Sequence, residues 1–259
     1  MNQADTTPIA GRNPVREALE REPGRIEKVM LRQNVSGEAI RAIRSAATDA
    51  GVALQYVPNN RLDHEAEGLN HQGVVAIAAP VEYERVNDLL ASIAPDWDTV
   101  RETKPMLLII DRVTDTRNFG AILRSAVAGG IDGVVVPNRH MAPLNAAAIR
   151  ASAGTATRVP IARTNDLARF LVELKERGYW VVGADGSADT PYWEEDWDRP
   201  IALVVGSEDQ GLRPDVAEAC DRLVSIPMQG PAESLNVSVA AGILVFAAAQ
   251  PRASASARP

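Results

Sequence analysis

The sequence is poor in the residues that build covalent or metal frameworks. Its 259 residues include one cysteine, Cys220, and three histidines, His64, His71 and His140. A single cysteine excludes a disulfide within the chain, and scattered histidines lack the spacing of metal ligands. We therefore expect no metal site, and we predict that Cys220 is a small buried hydrophobic residue.

Long apolar runs and export signals are also missing. The longest apolar stretches are interrupted well before the ~18 residues that a membrane-spanning helix needs. The opening stretch MNQADTTPIAGRNP carries neither the basic region nor the apolar region of a signal peptide. We expect a protein that works in the cytoplasm and has no contact with a membrane.

The glycines lack the spacing of the common nucleotide-binding loops. None of the 18 glycines has another glycine two positions away, so the sequence contains no G-x-G-x-x-G. Gly206 and Gly211 stand five apart, as in a P-loop, but no such pair is followed by Lys and then Ser or Thr. These absences argue against a typical dinucleotide-binding fold and against NTPase chemistry.

Acidic and basic residues are unevenly distributed along the chain. The net charge is -7, yet residues 101–180 hold twelve Lys and Arg against seven Asp and Glu, whereas residues 181–240 hold three against twelve. The basic part is rich in arginine, which binds phosphate in a bidentate manner. A polyanionic substrate and an ordinary solvated surface both explain the arginines, which include Arg112, Arg117, Arg124, Arg139, Arg150 and Arg158.

The order of helical and strand patterns predicts an α/β protein with two domains. Residues 1–85 are predicted to form a small α/β domain, in which NPVREALE and SGEAIRAIRSAATDAG are predicted helices and IEKVMLR, VALQYV and GVVAIAA are predicted strands. The acidic residues 86–104 are predicted to form a linker that contains one short helix, NDLLASI. Residues 105–250 alternate strand and helix several times, which favours a mainly parallel sheet covered on both faces. The last residues, 251–259, are small and polar and are predicted to be a disordered tail.

Three segments of the second domain place polar residues beside an apolar strand or helix. They are residues 107–130, 201–212 and 231–249. Helix capping is the simplest explanation for any one of them. Three together indicate a site, because open α/β sheets bind ligands at the carboxyl ends of their strands. The residues concerned are Asp111, Asp115, Asn118, Ser207, Glu208, Ser234 and Asn236, together with Gly206 at the end of its strand.

These segments resemble a known family. In this order, DRVTDTRNFGAILRSA, LVVGSEDQGL and IPMQGPAESLNVSVAAGI are similar to the three signature motifs of the SpoU (TrmH) family of RNA ribose 2′-O-methyltransferases. GRNPVREAL and HQGVVA extend the resemblance to the subgroup that methylates a guanosine in bacterial 23S ribosomal RNA. That subgroup has an N-terminal RNA-binding domain similar to ribosomal protein L30e.

The resemblance implies a SPOUT-type parallel-sheet domain with a deep trefoil knot near the C-terminus, a homodimer formed through that domain, and S-adenosylmethionine as the methyl donor. The sequence departs from the commoner family pattern at Asp209, where glycine is usual. If that position needs positive φ, aspartate tolerates it better than most residues. The residues that match the cofactor-binding positions of the family are Val205, Gly206, Glu208, Ile226, Met228, Leu235 and Asn236.

The implied reaction is attack by a ribose 2′-hydroxyl on the methyl group of the donor. Arg124 matches the arginine that the family treats as catalytic. Arginine is protonated at neutral pH, so either an RNA phosphate takes the proton or Arg124 orients the hydroxyl. The matching supporting residues are Asn118, Glu208, Ser234 and Asn236, and the expected RNA contacts are Arg112, Arg117, Asn118 and Arg124.

Three alternatives remain at the level of sequence. One alternative is that the chain methylates transfer RNA, as relatives without the N-terminal domain do. A catalytically inactive RNA-binding protein is disfavoured, because the matched catalytic residues are all present. An enzyme acting on a small molecule is disfavoured by the clustered arginines, which suit a polyanion.

Overall fold

The computed structural model describes residues 7–66, 68–78 and 82–256. The chain divides into two compact units. Unit 1 consists of Met1–Tyr83 and Pro143–Ala147, and unit 2 of Glu84–Ala142 and Ala148–Pro259.

Unit 1 is a four-stranded sheet with helices on its faces. Its strands lie in the order β1-β4-β2-β3, and β4 runs antiparallel to both neighbours. The patterns for α1, α2, β2, β3 and β4 are confirmed, whereas β1 and α3 were missed. The elements are β1 (Thr7–Ala10), α1 (Arg12–Arg21), β2 (Ile26–Arg32), α2 (Glu38–Asp49), β3 (Ala53–Val57), α3 (Asn59–Glu65) and β4 (Val74–Ala78), with a 3-10 turn at Pro23–Arg25.

The two faces of the small sheet have separate cores. On one face α1 and α2 pack against the sheet, and α2 buries Ile40, Ile43 and Ala47 at the three-and-four spacing of an amphipathic helix. On the other face Leu62 of α3 packs against Met30 of β2. Alternation along β2 and β4 sends neighbouring residues to opposite cores.

Unit 2 is built on seven parallel strands in the order β11-β9-β10-β6-β7-β8-β5. The predicted α/β class with a parallel sheet is therefore confirmed. Its elements are β5 (Glu84–Arg85), α4 (Val86–Ile93), α5 (Trp97–Thr103), β6 (Met106–Ile110), α6 (Thr116–Ala128), β7 (Gly133–Pro137), α7 (Ala146–Ala151, which begins in unit 1), β8 (Ile161–Thr164), α8 (Leu167–Glu176), β9 (Trp180–Ala184), β10 (Ile201–Val205), α9 (Pro214–Ala219), β11 (Arg222–Val224) and α10 (Val237–Ser256), with 3-10 turns at Thr155–Arg158 and Tyr192–Glu194.

The central strands of unit 2 are covered on both sides. Every residue of β6 and β10 is buried, as expected for strands between two helical layers. One layer contains α4, α5, α8 and α9, which share a core with the sheet. α6 and α10 pack against each other, and α10 also contacts β10.

The segment predicted as a linker, residues 86–104, is structured instead. It forms α4 and α5, whose Leu89, Leu90 and Val100 are buried in the core of unit 2. The sequence pattern indicated one short helix there, but the acidic residues concealed the second. Asp96 caps α5 by accepting a hydrogen bond from the Thr99 backbone N–H at 2.8 Å.

The predicted disordered tail also differs. α10 continues through Pro251 to Ser256, so the first part of residues 251–259 is helical, and residues 257–259 lie outside the described residues.

The Cys220 thiol is largely buried and donates to the Val216 carbonyl at 3.3 Å, and burial raises its pKa to about 12. Among the described helices, none combines the length and hydropathy required to cross a bilayer. The trefoil knot stays a prediction.

Candidate active site

The strand ends identified in the sequence meet at one edge of the large sheet. β6 and β10 are neighbours and run parallel, and Ile110 at the end of β6 pairs with Val205 at the end of β10. A cavity of about 510 Å³ opens at this edge. This is the position at which parallel α/β sheets bind their ligands.

Most residues predicted to bind the cofactor line this cavity. Asn236 is the exception, since it is not among the lining residues. Leu244 of α10 and Val224 of β11 extend the apolar part of the wall. The predicted residues that line the cavity are Val205, Gly206, Glu208, Ile226, Met228 and Leu235.

The loop after β10 is closed on itself. The Ser207 N–H donates to the Gly211 carbonyl at 2.9 Å, and the Gly211 N–H donates back to the Ser207 carbonyl at 3.1 Å. A Cβ atom on Gly206 would lie 2.1 Å from the carbonyl carbon of Gly211, a separation that would force the backbone to move. Gly206 is therefore required for the closure that shapes this wall of the cavity.

Asp209 does not adopt the positive φ that would favour glycine at its position. The positive φ of this loop falls on Gly211, at 63°, and Asp209 is not among the described residues with positive φ. Aspartate therefore replaces the usual glycine without backbone strain.

Asp111 holds both ends of the same loop. Its carboxyl group is fully buried directly after β6. The Asp111 backbone N–H donates to the Val205 carbonyl at 2.8 Å, and its carboxylate accepts from the backbone N–H and from Nε of Arg213, both at 3.0 Å. Val205 and Arg213 flank residues 206–212, so one side chain and its own backbone fix the loop at both ends.

Arg112, predicted to contact RNA, is turned toward this loop. Its side chain is 24% exposed, and its Nη1 donates to Oε1 of Gln210 at 3.3 Å. Its Nε lies 3.6 Å from Oδ1 of Asp111. Arg112 also has positive φ, at 63°, which is uncommon for a residue other than glycine.

One hydrogen-bonded chain joins the three motifs. Nδ2 of Asn118, in the first turn of α6, donates to Oε1 of Glu208 at 2.7 Å. Oδ1 of Asn118 accepts from Nδ2 of Asn236 at 3.1 Å. Oδ1 of Asn236 in turn accepts from the N–H and the hydroxyl of Ser238, at 2.9 and 2.6 Å, and so caps α10. Both amides are therefore fixed in one orientation beside the cavity.

The start of α6 carries an exposed ion pair. Asp115 caps the helix by accepting from the Arg117 backbone N–H at 2.6 Å, and its other oxygen lies 2.9 Å from Nη2 of Arg117. The side-chain and backbone hydrogen bonds from Arg117 lower the pKa of Asp115 to about 2. The Arg117 side chain stays 84% exposed, so it also presents its charge to solvent.

Arg124 and Ser234 are both exposed but lie in different surroundings. Ser234 lines the cavity. Arg124 does not, and within the described part of the chain it makes no hydrogen bond or ion pair. It follows Asn118 by six residues in α6, so it points about 120° away around the helix axis. The structure thus brings Asn118, Glu208, Ser234 and Asn236 together and leaves Arg124 outside the cavity.

Sequence reasoning missed the contribution of β9. Asp185 and Gly186, directly after this strand, line the cavity. Oδ1 of Asp185 accepts from the N–H and hydroxyl of Ser187 at 2.8 and 2.7 Å. The signal was an apolar run, WVVGA, followed by Asp-Gly, which is the same pattern as at the other strand ends.

The cavity wall is apolar with a negative charge bias. Three carboxylates line it, those of Asp185, Glu208 and Glu233, and its described lining includes no Lys, Arg or His. Such a wall suits a ligand with an apolar body and a positive charge. Across residues 7–66, 68–78 and 82–256, no group of three or more His, Cys, Asp or Glu is placed to hold a metal ion.

Comparison with known families and proteins matches both units. A family model described as the SpoU rRNA methylase family matches residues 105–246, and one described as RNA 2′-O ribose methyltransferase substrate binding matches residues 8–84. The 23S rRNA (guanosine-2′-O-)-methyltransferase RlmB of Photorhabdus laumondii is 40% identical over 246 residues, which are 95% of this chain and 98% of that protein. The protein of the same name from Escherichia coli K12 is 39% identical over 244 residues, 94% of this chain and 98% of that one.

A solved structure is also similar. The crystal structure of an AdoMet-bound rRNA methyltransferase from Sinorhizobium meliloti superposes with a TM-score of 0.57 at 25% identity, covering 95% of this chain and 87% of that one. The matched residues of unit 2 include the three motifs and the whole cavity wall. The chain belongs to the SpoU rRNA methylase family.

Proposed function

We propose that this protein transfers a methyl group from S-adenosylmethionine to the ribose 2′-hydroxyl of a guanosine in 23S ribosomal RNA. The chain from Glu208 through Asn118 to Asn236 carries the proposal, since it joins the three motifs beside a cavity of suitable size. Relatives named for this reaction align over nearly the whole chain, which supports the choice of substrate.

The cavity fits the methyl donor in shape and charge. Ile226, Met228 and Leu235 offer apolar contacts for an adenine ring, and the closed loop at Gly206 leaves space where a side chain would intrude. S-adenosylmethionine supplies an electrophilic methyl group on a positively charged sulfonium. The carboxylates of Asp185 and Glu233 in the wall complement that charge.

The polar chain orients groups at the mouth of the cavity. Asn118 fixes one oxygen of Glu208, which leaves the other oxygen of that carboxylate for a ribose hydroxyl. Asn236 is held by both Asn118 and Ser238, and Ser234 adds a hydroxyl to the wall. Because these groups are held before substrate binds, much of the rate comes from positioning.

Arg124 and Arg117 provide the positive charge for RNA. Both are exposed on α6, and guanidinium groups bind phosphate oxygens in a bidentate manner. Because Arg124 lies outside the cavity, we assign its protonated side chain to the phosphate beside the ribose, and this phosphate relays the proton that leaves the 2′-oxygen. Arg112 faces Asp111 and Gln210. We therefore assign it to holding the loop after β10 rather than to RNA contact.

We assign RNA holding to unit 1 and dimer formation to α10. The match of residues 8–84 to a substrate-binding family supports the first assignment. For the second, α10 exposes Val239 and Phe246, at 49% and 53%, on the same side as Ile243, and Leu235 just before the helix is 37% exposed. An exposed apolar stripe of this kind is typical of a protein interface, and two-fold dimers are the commonest soluble assembly.

The choice of substrate is tested by methyl transfer from labelled S-adenosylmethionine to unmodified 23S ribosomal RNA and to unmodified transfer RNA in parallel, with wild type beside Arg124→Ala. We expect label in 23S RNA only, and none with the variant. Label in transfer RNA alone would overturn the substrate assignment, and label with neither RNA would overturn the proposed activity.

A further inference from the structure

One edge of unit 1 differs in chemistry from the rest of its surface. β1, β2 and β3 end at this edge and β4 begins there, because β4 runs antiparallel to β1 and β2 while β3 runs parallel to β2. Four segments therefore meet, residues 10–13, 32–37, 57–60 and 70–73. We call these four segments the amide edge.

The amide edge collects nearly all the carboxamides of the unit. Among the described residues from 7 to 78 there are eight Asn and Gln, and seven of them lie in these segments, the eighth being Gln55 in β3. None of the four segments contains an Asp or a Glu, whereas two contain an arginine, Arg12 and Arg32. Asp63 of α3 adds a carboxylate beside them, which accepts a hydrogen bond from Nδ2 of Asn59 and lies 2.9 Å from Nε2 of His71. The seven amides, all exposed, are Asn13, Gln33, Asn34, Asn59, Asn60, Asn70 and Gln72.

The segments are joined to one another by hydrogen bonds. Nε of Arg12 donates to the Gln72 carbonyl at 3.3 Å, and the Gln33 N–H donates to the Val57 carbonyl at 3.0 Å. Asn34 and Gln72 have positive φ, at 61° and 49°. A surface whose backbone is fixed in advance loses less conformational entropy when it binds a ligand.

The opposite end of the unit mixes charges of both signs. There Glu17, Glu20 and Glu22 each form an ion pair with an arginine, Arg21, Arg16 and Arg25 respectively. Those arginines are already paired with carboxylates, so they are less suited to an anionic ligand than arginines in segments that contain no Asp or Glu.

We infer that the amide edge is the surface through which unit 1 holds RNA. Carboxamides donate and accept at the edges of unpaired bases, and such bases are the usual targets of sequence-specific RNA recognition. Arg12 and Arg32 bind the phosphates on either side. The inference rests on the proposed function for an RNA substrate, since the family match of residues 8–84 names substrate binding without naming a surface.

The test compares two variants of the amide edge with one control. Arg32→Gln removes a charge, and the double change of Gln33→Ala with Asn34→Gly removes two amides while glycine keeps the positive φ. Arg21→Gln removes a charge at the far end of α1, where Arg21 is 75% exposed and pairs with Glu17 at 2.9 Å. Steady-state methyl transfer to a 23S RNA fragment gives KM for RNA, KM for the methyl donor and kcat.

We expect Arg32→Gln to raise KM for RNA about 10-fold and to lower the slope of log affinity against log salt by about 1. The amide variant should keep the wild-type salt dependence of RNA affinity. Its preference for the 23S RNA fragment over a fragment with altered unpaired bases should fall roughly 5-fold. KM for the methyl donor, kcat at saturating RNA and the melting temperature should not change.

Equal KM values for RNA in all three variants and wild type would overturn the inference and leave the proposed function intact. A wild type that methylates no RNA would overturn the proposed function, and the inference with it.

Discussion

The carboxylate of Asp111 accepts two hydrogen bonds from Arg213, one from its backbone N–H and one from Nε, each at 3.0 Å. Asp111 is fully buried, and Arg213 is 31% exposed. Since the Asp111 N–H also binds Val205, the pair closes the base of the loop that lines the cavity. Asp111 also begins the segment that leads to Asn118 and Arg124, so it connects the cofactor wall with the helix proposed to face RNA.

Asp111→Asn should weaken binding of S-adenosylmethionine without removing any group from the cavity wall. The change removes the buried charge that faces Arg213 and leaves this arginine only its longer contact with Asp215 at 3.5 Å. We expect the free energy of unfolding to fall by about 2 kcal/mol and the affinity for the donor to fall roughly 10-fold. Calorimetric titration and thermal melting measure both. Asp115→Asn is the matched control, because asparagine also caps α6; an equal loss of donor affinity in the control would contradict the role of Asp111.

Gly206→Ala should abolish donor binding. The added Cβ would lie 2.1 Å from the Gly211 carbonyl carbon, so the loop from Ser207 to Gly211 cannot close. Gly230→Ala, in the motif before α10, places its Cβ in open space and should bind the donor within about 2-fold of wild type. The comparison is made by equilibrium binding, and similar affinities for the two variants would show that loop closure does not matter.

Asn118→Ala should lower kcat while leaving donor binding nearly unchanged. Glu208 loses its donor and Asn236 loses its acceptor, but Asn118 does not line the cavity. We expect a fall in kcat of about 10-fold to 100-fold. Because the residues form one chain, Asn118→Ala combined with Asn236→Ala should cost little more than the worse single variant. Fully additive losses in single-turnover rates would mean that the two amides act independently.

Phe246→Glu should break the proposed dimer. The change places a charge on the exposed apolar stripe of α10, where Phe246 is 53% exposed, and burying an unpaired charge in an interface is strongly unfavourable. Sedimentation at micromolar concentration should give a dimer for wild type and a monomer for the variant. Val172→Glu, on the exposed face of α8 at 45% exposure, is the control. The interface lies elsewhere if both variants remain dimeric.

Much of the site was predictable because it lies in strand ends and adjacent loops. The apolar runs of β6 and β10 indicated buried parallel strands, and the polar residues after them pointed to the correct edge of the sheet. The resemblance then supplied seven of the residues that line the cavity. The prediction missed Asp185 because it did not include the end of β9, where the apolar run WVVGA is followed by Asp-Gly.

The sequence did not predict how residues far apart would pair. Asn118 and Asn236 are separated by 118 positions, and Asp111 and Arg213 by 102. Such contacts depend on the strand order, which periodicity does not specify. Arg124 lies outside the cavity for the same reason. Packing contacts decide which side of α6 faces the cavity, and the helical period alone does not.

Mapping the methylated position distinguishes transfer to a ribose 2′-hydroxyl from transfer to a base. Labelled 23S ribosomal RNA from a reaction with wild type is digested with alkali, which cleaves only beside an unmodified 2′-hydroxyl. We expect all label to survive in one alkali-resistant dinucleotide that begins with guanosine, and we expect Arg124→Ala to produce none. Label recovered in ordinary mononucleotides would place the methyl group on a base and would contradict ribose 2′-O-methylation.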